Sequence, residues 1–98
     1  MPHFFYKLSP PRPTFIRDMT PDEAAMMQQH TAYLEPFMRD GKILLVGPVL
    51  NPQDGFGLAI LEMDNAEEVK AFGENDPSVK SGMNTFEFHP FRLGFLRK

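Results

Sequence analysis

At 98 residues the chain has the size of a single domain, 1–98, and its ten Lys and Arg against thirteen Asp and Glu leave a formal charge of −3. The two signs are interspersed, so no basic stripe exists to hold nucleic acid, and the absence of cysteine excludes a disulfide framework, a thiolate metal site and a thiol nucleophile. Hydrophobic residues make up 42% of the chain, with ten Phe and seven Met among them, which is enough for one two-layer core and leaves a surplus for an interface.

The first run, His3 to Leu8, is aromatic and ends at Ser9-Pro10-Pro11, where consecutive prolines deny further ladder donors; it reads as a strand. Residues 9–19 hold three prolines together with Arg12, Phe15, Ile16 and Arg17, and are expected to form a long, stiff loop able to close over a pocket. Thr20-Pro21-Asp22-Glu23 is a strong helix start. Thr20 suits the cap, Pro21 the first helical position, and Glu23 completes a capping box. The helix is expected from Pro21 to about Arg39, with Met27, Thr31, Leu34 and Met38 on one buried stripe and His30, Leu34 and Phe37 on an overlapping one. Pro36 is expected to kink its last turn, and Gly41 to end it.

Ile43 to Val49 and Phe56 to Met63 flank a turn-rich link, Leu50 to Gly55, and read as a hairpin. In the second of these strands Phe56, Leu58 and Ile60 point one way and Ala59, Leu61 and Met63 the other, so both sheet faces must be dry. Helices can cover only one. The other calls for a second copy of the chain, packed face to face. Asp64 or Asn65 can cap a second helix reaching about Glu74, with Ala66, Val69 and Phe72 or Gly73 inward, and Asn75-Asp76-Pro77 breaks it. Thr85 to His89 alternates as a last strand. Pro90 implies an edge or a bulge there, with Phe91, Leu93 and Phe95 continuing on switched parity. The order is strand, helix, strand, strand, helix, strand, which with right-handed crossovers gives an α+β domain: a ferredoxin-like antiparallel four-stranded sheet with two helices on one face.

No Gly-rich phosphate loop, paired metal-spaced histidines or nucleophile elbow is present, so no metal or cofactor is implied. The start of the chain lacks a basic stretch followed by a long apolar run, and no segment approaches the roughly 20 apolar residues that cross a bilayer. A cytoplasmic protein with no membrane partner is the expectation.

One constellation remains: His30 in mid-helix, Tyr33 one turn on, and Asp76 after the second helix. With both helices on one face, Asp76 could hold one ring N–H of His30 and fix the tautomer, leaving the other nitrogen to take or give a proton. A satisfied structural histidine and a capping aspartate explain the same residues. Arg12, Phe15 and Arg17 would close over a small, acidic substrate, with Arg92 as an alternative anchor and His89 a further lining candidate. Arg92, Arg97 and Lys98 also read simply as a solvated basic terminus.

In order, His30-x-x-Tyr33-Leu34, Gly41 to Pro48, Gly57, Asp76-Pro77 and Phe88-His89-Pro90-Phe91 resemble the YCII-related (YciI-like) family of the dimeric α/β-barrel superfamily. The resemblance spans roughly residues 19–91. It implies a homodimeric barrel with a pocket between sheet and helices, and a His and Asp, matching His30 and Asp76, at a candidate active site. A relative that removes chloride from a chlorinated hydroxyquinol implies acid–base chemistry of lyase or isomerase type, without cofactor, on a small cyclic or acidic metabolite. A non-catalytic dimeric binding module and a haem- or oxygen-handling barrel compete with that reading.

Overall fold

Strong local signals set the element boundaries in the computed structural model, which describes residues 2–97. The elements are β1 (His3–Ser9), α1 (Phe15–Asp18), α2 (Pro21–Arg39), β2 (Ile43–Val49), β3 (Phe56–Glu62), α3 (Ala66–Glu74), α4 (Pro77–Lys80) and β4 (Thr85–Phe91). At the start of α2 the capping box is complete: Glu23 N–H donates to the Thr20 hydroxyl at 3.2 Å, and Thr20 N–H donates to the Glu23 carboxylate at 2.9 Å. The helix continues through Pro36. Gly41, at φ +76°, then turns the chain so that Lys42 N–H donates to the Phe37 carbonyl at 2.9 Å. Asn65 caps α3 by accepting from Glu68 N–H at 2.9 Å.

The sheet runs β2-β3-β1-β4, antiparallel throughout, the strand order of the ferredoxin-like fold. Alternation sends Phe4, Tyr6 and Leu8 of β1 toward the helices, beside Ala59 and Leu61 of β3. There they meet Ile43, Met63, Val69 and Phe72 in one core. Leu61, Met63 and Val69 are wholly buried, each contributing about 1.5–3 kcal/mol by leaving water. On the opposite face lie His3, Phe5 and Lys7 of β1, Leu58 and Ile60 of β3, Leu45 of β2 and His89 and Phe91 of β4. No element among the described residues covers it. Leu45 and Phe91 remain substantially exposed.

Several expectations need correction. Two short helices were not foreseen, α1 inside the proline-rich stretch and α4 begun by Pro77, whose fixed φ suits a first helical turn. Strand β4 runs straight through Pro90, paired with Phe4, without a parity switch; as an edge strand it can forgo a donor. It ends at Phe91, so Leu93 and Phe95 are not strand residues, and Phe95 stands almost fully in solvent. The irregularity lies instead in β2, between Ile43 and Leu45, and β2 is the other edge. Met38 and Ala66 point outward rather than into the core, while Phe72 and Gly73 both turn inward. Of the basic terminus, Arg92 and Arg97 are exposed and Lys98 lies outside the described residues.

Candidate active site

The middle of α2 faces the start of α4, and a side-chain hydrogen bond joins them. His30 Nδ1–H donates to Asp76 Oδ2 at 2.6 Å. Asp76 is the cap of α4: its Oδ1 accepts from Ser78 N–H and from the Ser78 hydroxyl, each at 2.8 Å. Both carboxylate oxygens are therefore satisfied, which is what permits this group to be fully buried. A carboxylate only accepts, so the ring proton must sit on Nδ1. Nε2 is the nitrogen left to any occupant of the space beyond.

That space is a cavity of about 330 Å³ which His30 itself lines. It lies between α2, the β1 and β2 strands, and the segment carrying α1. Its walls are largely apolar, with Leu8, Phe15, Met27, Leu34, Val46 and Phe56 among the lining residues. Phe15, which forms part of this wall, is only 3% exposed. The segment that delivers Phe15 is held by Arg12, whose guanidinium donates to both Glu23 oxygens at 2.8 Å and to Asp18 Oδ1 at 2.9 Å. These bonds raise the guanidinium pKa further and draw the Glu23 carboxyl down to about 2, with the Thr20 N–H as the second cause. Arg12 is thus a latch between the loop and the first turn of α2.

Other residues singled out from sequence lie elsewhere. Arg17 is exposed and lines a smaller surface groove with Leu50 and Pro52. Tyr33 points into the helix layer, where its hydroxyl donates to the Phe72 carbonyl at 2.8 Å and its ring lies on Phe72. Burial, and next the Asp76 charge, push its phenol up to about 12. The Tyr6 phenol is raised by the same two causes in the same order. His89 is on the far face of the sheet, stacked on Phe5 and 3.0 Å from Glu87, and Arg92 follows it in the exposed C-terminal stretch. Of the eight candidates the structure brings His30 and Phe15 to the cavity, with Asp76 buried behind His30 and Arg12 holding the segment that carries Phe15. Asn84 was missed. It is 3% exposed and lines the cavity just before β4, and a lone Asn two residues after Gly82 carries no signal in sequence beyond that of a turn. Among the described residues no group of three or more His, Asp or Glu is placed to hold a metal, and no helix is long and apolar enough to cross a membrane.

Comparison with known proteins agrees with this architecture. A model of the YCII-related domain matches residues 4–92. The 5-chloro-2-hydroxyhydroquinone dehydrochlorinase TftG of Burkholderia phenoliruptrix AC1100, solved in complex with 2,5-dihydroxybenzoquinone, is similar at 26% identity and a TM-score of 0.70, over 93% of this chain and 95% of that one. The uncharacterized protein TM1266 of Thermotoga maritima shares the fold at a TM-score of 0.57 and 14% identity, over 93% and 96% of the two chains. No curated protein matches.

Proposed function

The chain belongs to the YCII-related domain family, and from that premise we propose that it is a cofactor-independent acid–base enzyme of lyase or isomerase type acting on a small cyclic metabolite. One observation carries the reading: a fully buried Asp76, held by three donors, orients His30 at the wall of a largely apolar cavity. His30 Nε2 takes a proton from a ring hydroxyl or an adjacent carbon. The electron pair released passes through the ring system and either expels a leaving group, as in a lyase, or accepts a proton at another carbon, as in an isomerase. Asp76 keeps Nδ1 protonated and steadies the charged ring that results. The dehydrochlorinase to which the chain is similar supports the class of reaction and a hydroxylated ring as the class of substrate.

The uncovered sheet face supports a homodimer as the working assembly, since Phe5, Leu45, Leu58, Ile60 and Phe91 form an apolar centre on it. A sedimentation experiment at micromolar concentration is expected to find dimers, and Leu58→Lys to yield monomers. A well-folded wild-type monomer would refute the assembly.

The function itself is tested by screening hydroxylated benzenes and quinones for spectral change with wild type and with His30→Gln. Turnover by the wild type that falls 10²–10⁴-fold in the variant supports acid–base catalysis. Saturable binding of these rings without turnover would make the protein a binding module instead.

A further inference from the structure

Gly57 is the second residue of β3, a strand paired on both sides, yet it carries no side chain. Glycine weakens a strand, and its presence there has a small set of causes: a left-handed backbone, a bulge, the close approach of another chain segment, or room for a ligand. The first three do not apply. Among the described residues positive φ is confined to Gly41 and Gly82. Pairing is regular at Leu8↔Gly57 and Pro48↔Gly57, and the register shift of the sheet lies between Ile43 and Leu45. A Cβ at Gly57 would lie 3.4 Å from Leu8 Cβ and 3.8 Å from the Leu8 carbonyl oxygen, both ordinary contacts. What remains is the cavity, which Gly57 lines together with its ladder partners Leu8 and Pro48 and with His30 from α2. On the same face of β3 Ala59 and Leu61 are buried, whereas Gly57 is partly open, so the space above it can be reached. The size of that space is a second observation: an apolar cavity of about 150 Å³ already admits benzene, and this one measures about 330 Å³. A single ring would leave much of it unfilled.

We propose that Gly57 is the specificity-determining residue of this cavity, its missing side chain making room for the second ring of a fused bicyclic ligand whose hydroxyl group faces His30. The inference rests on the reading of the cavity as the substrate site and adds to it the size of the ligand and the residue that sets that size. No Lys, Arg, Asp or Glu lines the cavity, so the second ring is apolar. This departs from the expectation of an acidic substrate, because Arg12 is engaged by Asp18 and Glu23, and Arg17 and Arg92 do not line the cavity. A side chain at position 57 would occupy the volume that the second ring needs.

Titration calorimetry with phenol and 1-naphthol, which share one hydroxyl and differ by one fused ring, provides the test. Wild type is expected to bind 1-naphthol about tenfold or more tighter than phenol, from the apolar area of the added ring. Gly57→Ala is expected to cut that advantage about fivefold or more, because its methyl group overfills the site for the larger ring. Phenol affinity is expected to stay within about twofold, since more space than benzene needs remains beside the methyl group. Gly57→Val is expected to abolish the advantage. The alanine variant should melt no lower than wild type, because the backbone there suits alanine and the unfolded chain loses freedom. If the valine variant fails to fold, the alanine variant decides. A 1-naphthol advantage that survives the substitution overturns the role of Gly57. So does an alanine variant that melts well below wild type and loses both probes alike, which would mark the glycine as structural. Phenol bound by wild type as tightly as 1-naphthol overturns the bicyclic assignment while leaving the cavity a ligand site. Failure of both probes to bind wild type removes the cavity reading and this inference with it.

Discussion

Of the histidine–carboxylate pairs, two can be compared across the sheet, one on each side. His30 and Asp76 are 2.6 Å apart with side chains 12% and 0% exposed; His89 and Glu87 are 3.0 Å apart at 63% and 55%. The residue types are the same, and the surroundings differ. The outer pair sits in water, where the attraction is screened and both side chains can find other partners. On the inner side the carboxylate has no alternative to its three donors, and the imidazole is held in one tautomer facing an apolar space. Pairing is common to both; what sets the inner pair apart is burial together with a carboxylate whose two oxygens are both satisfied.

The comparison can be broken most directly by exchanging the histidines one at a time. His30→Gln is expected to lower turnover of any substrate found by 10²–10⁴-fold, and His89→Gln to leave it unchanged; equal losses would mean that burial confers nothing. The carboxylates should differ in stability. Asp76→Ala leaves Ser78 N–H, the Ser78 hydroxyl and His30 Nδ1–H unpaired in the interior and is expected to cost about 3–5 kcal/mol in urea unfolding, whereas Glu87→Ala should stay within about 0.5 kcal/mol.

Behind the inner pair, packing is close enough for a single methyl group to matter. A Cβ on Gly73 would lie 2.5 Å from the Phe86 ring, which is itself stacked on Tyr6 and Phe88. Gly73→Ala is therefore expected to cost about 1–3 kcal/mol, read by the same unfolding curves. The smallest effect belongs to the exposed latch. Glu23 ionises at about 2 when folded against 4.5 ordinarily, so its contribution is present above pH 4.5 and is lost as pH falls toward about 2. Plotting the urea midpoint against pH should show a decline across that window that flattens in Glu23→Gln.

Some of this was legible in the residues alone. The capping box of Thr20 and Glu23, the helix stop at Gly41 and the two-sided apolar pattern of β3 are local, and local rules placed α2, β2 and β3 almost to the residue. Proline misled at Pro90, where no parity switch occurs because an edge strand can forgo the donor; Pro77 follows the end of α3 as expected but also starts a further short helix. His30 and Asp76 could be suspected from their elements, but Arg12 and Arg17 read alike as anion anchors, whereas Arg12 is engaged by Asp18 and Glu23 and Arg17 lines a separate surface groove.

Periodicity, caps and turns act over a few residues, so the order of the longer elements, the antiparallel sheet and the apolar character of both its faces follow from the chain itself. The cavity, the latch and the pairing of His30 with Asp76 do not. They arise where segments tens of residues apart are pressed together, and whether a polar atom finds a partner there is decided by packing rather than by any neighbour in sequence.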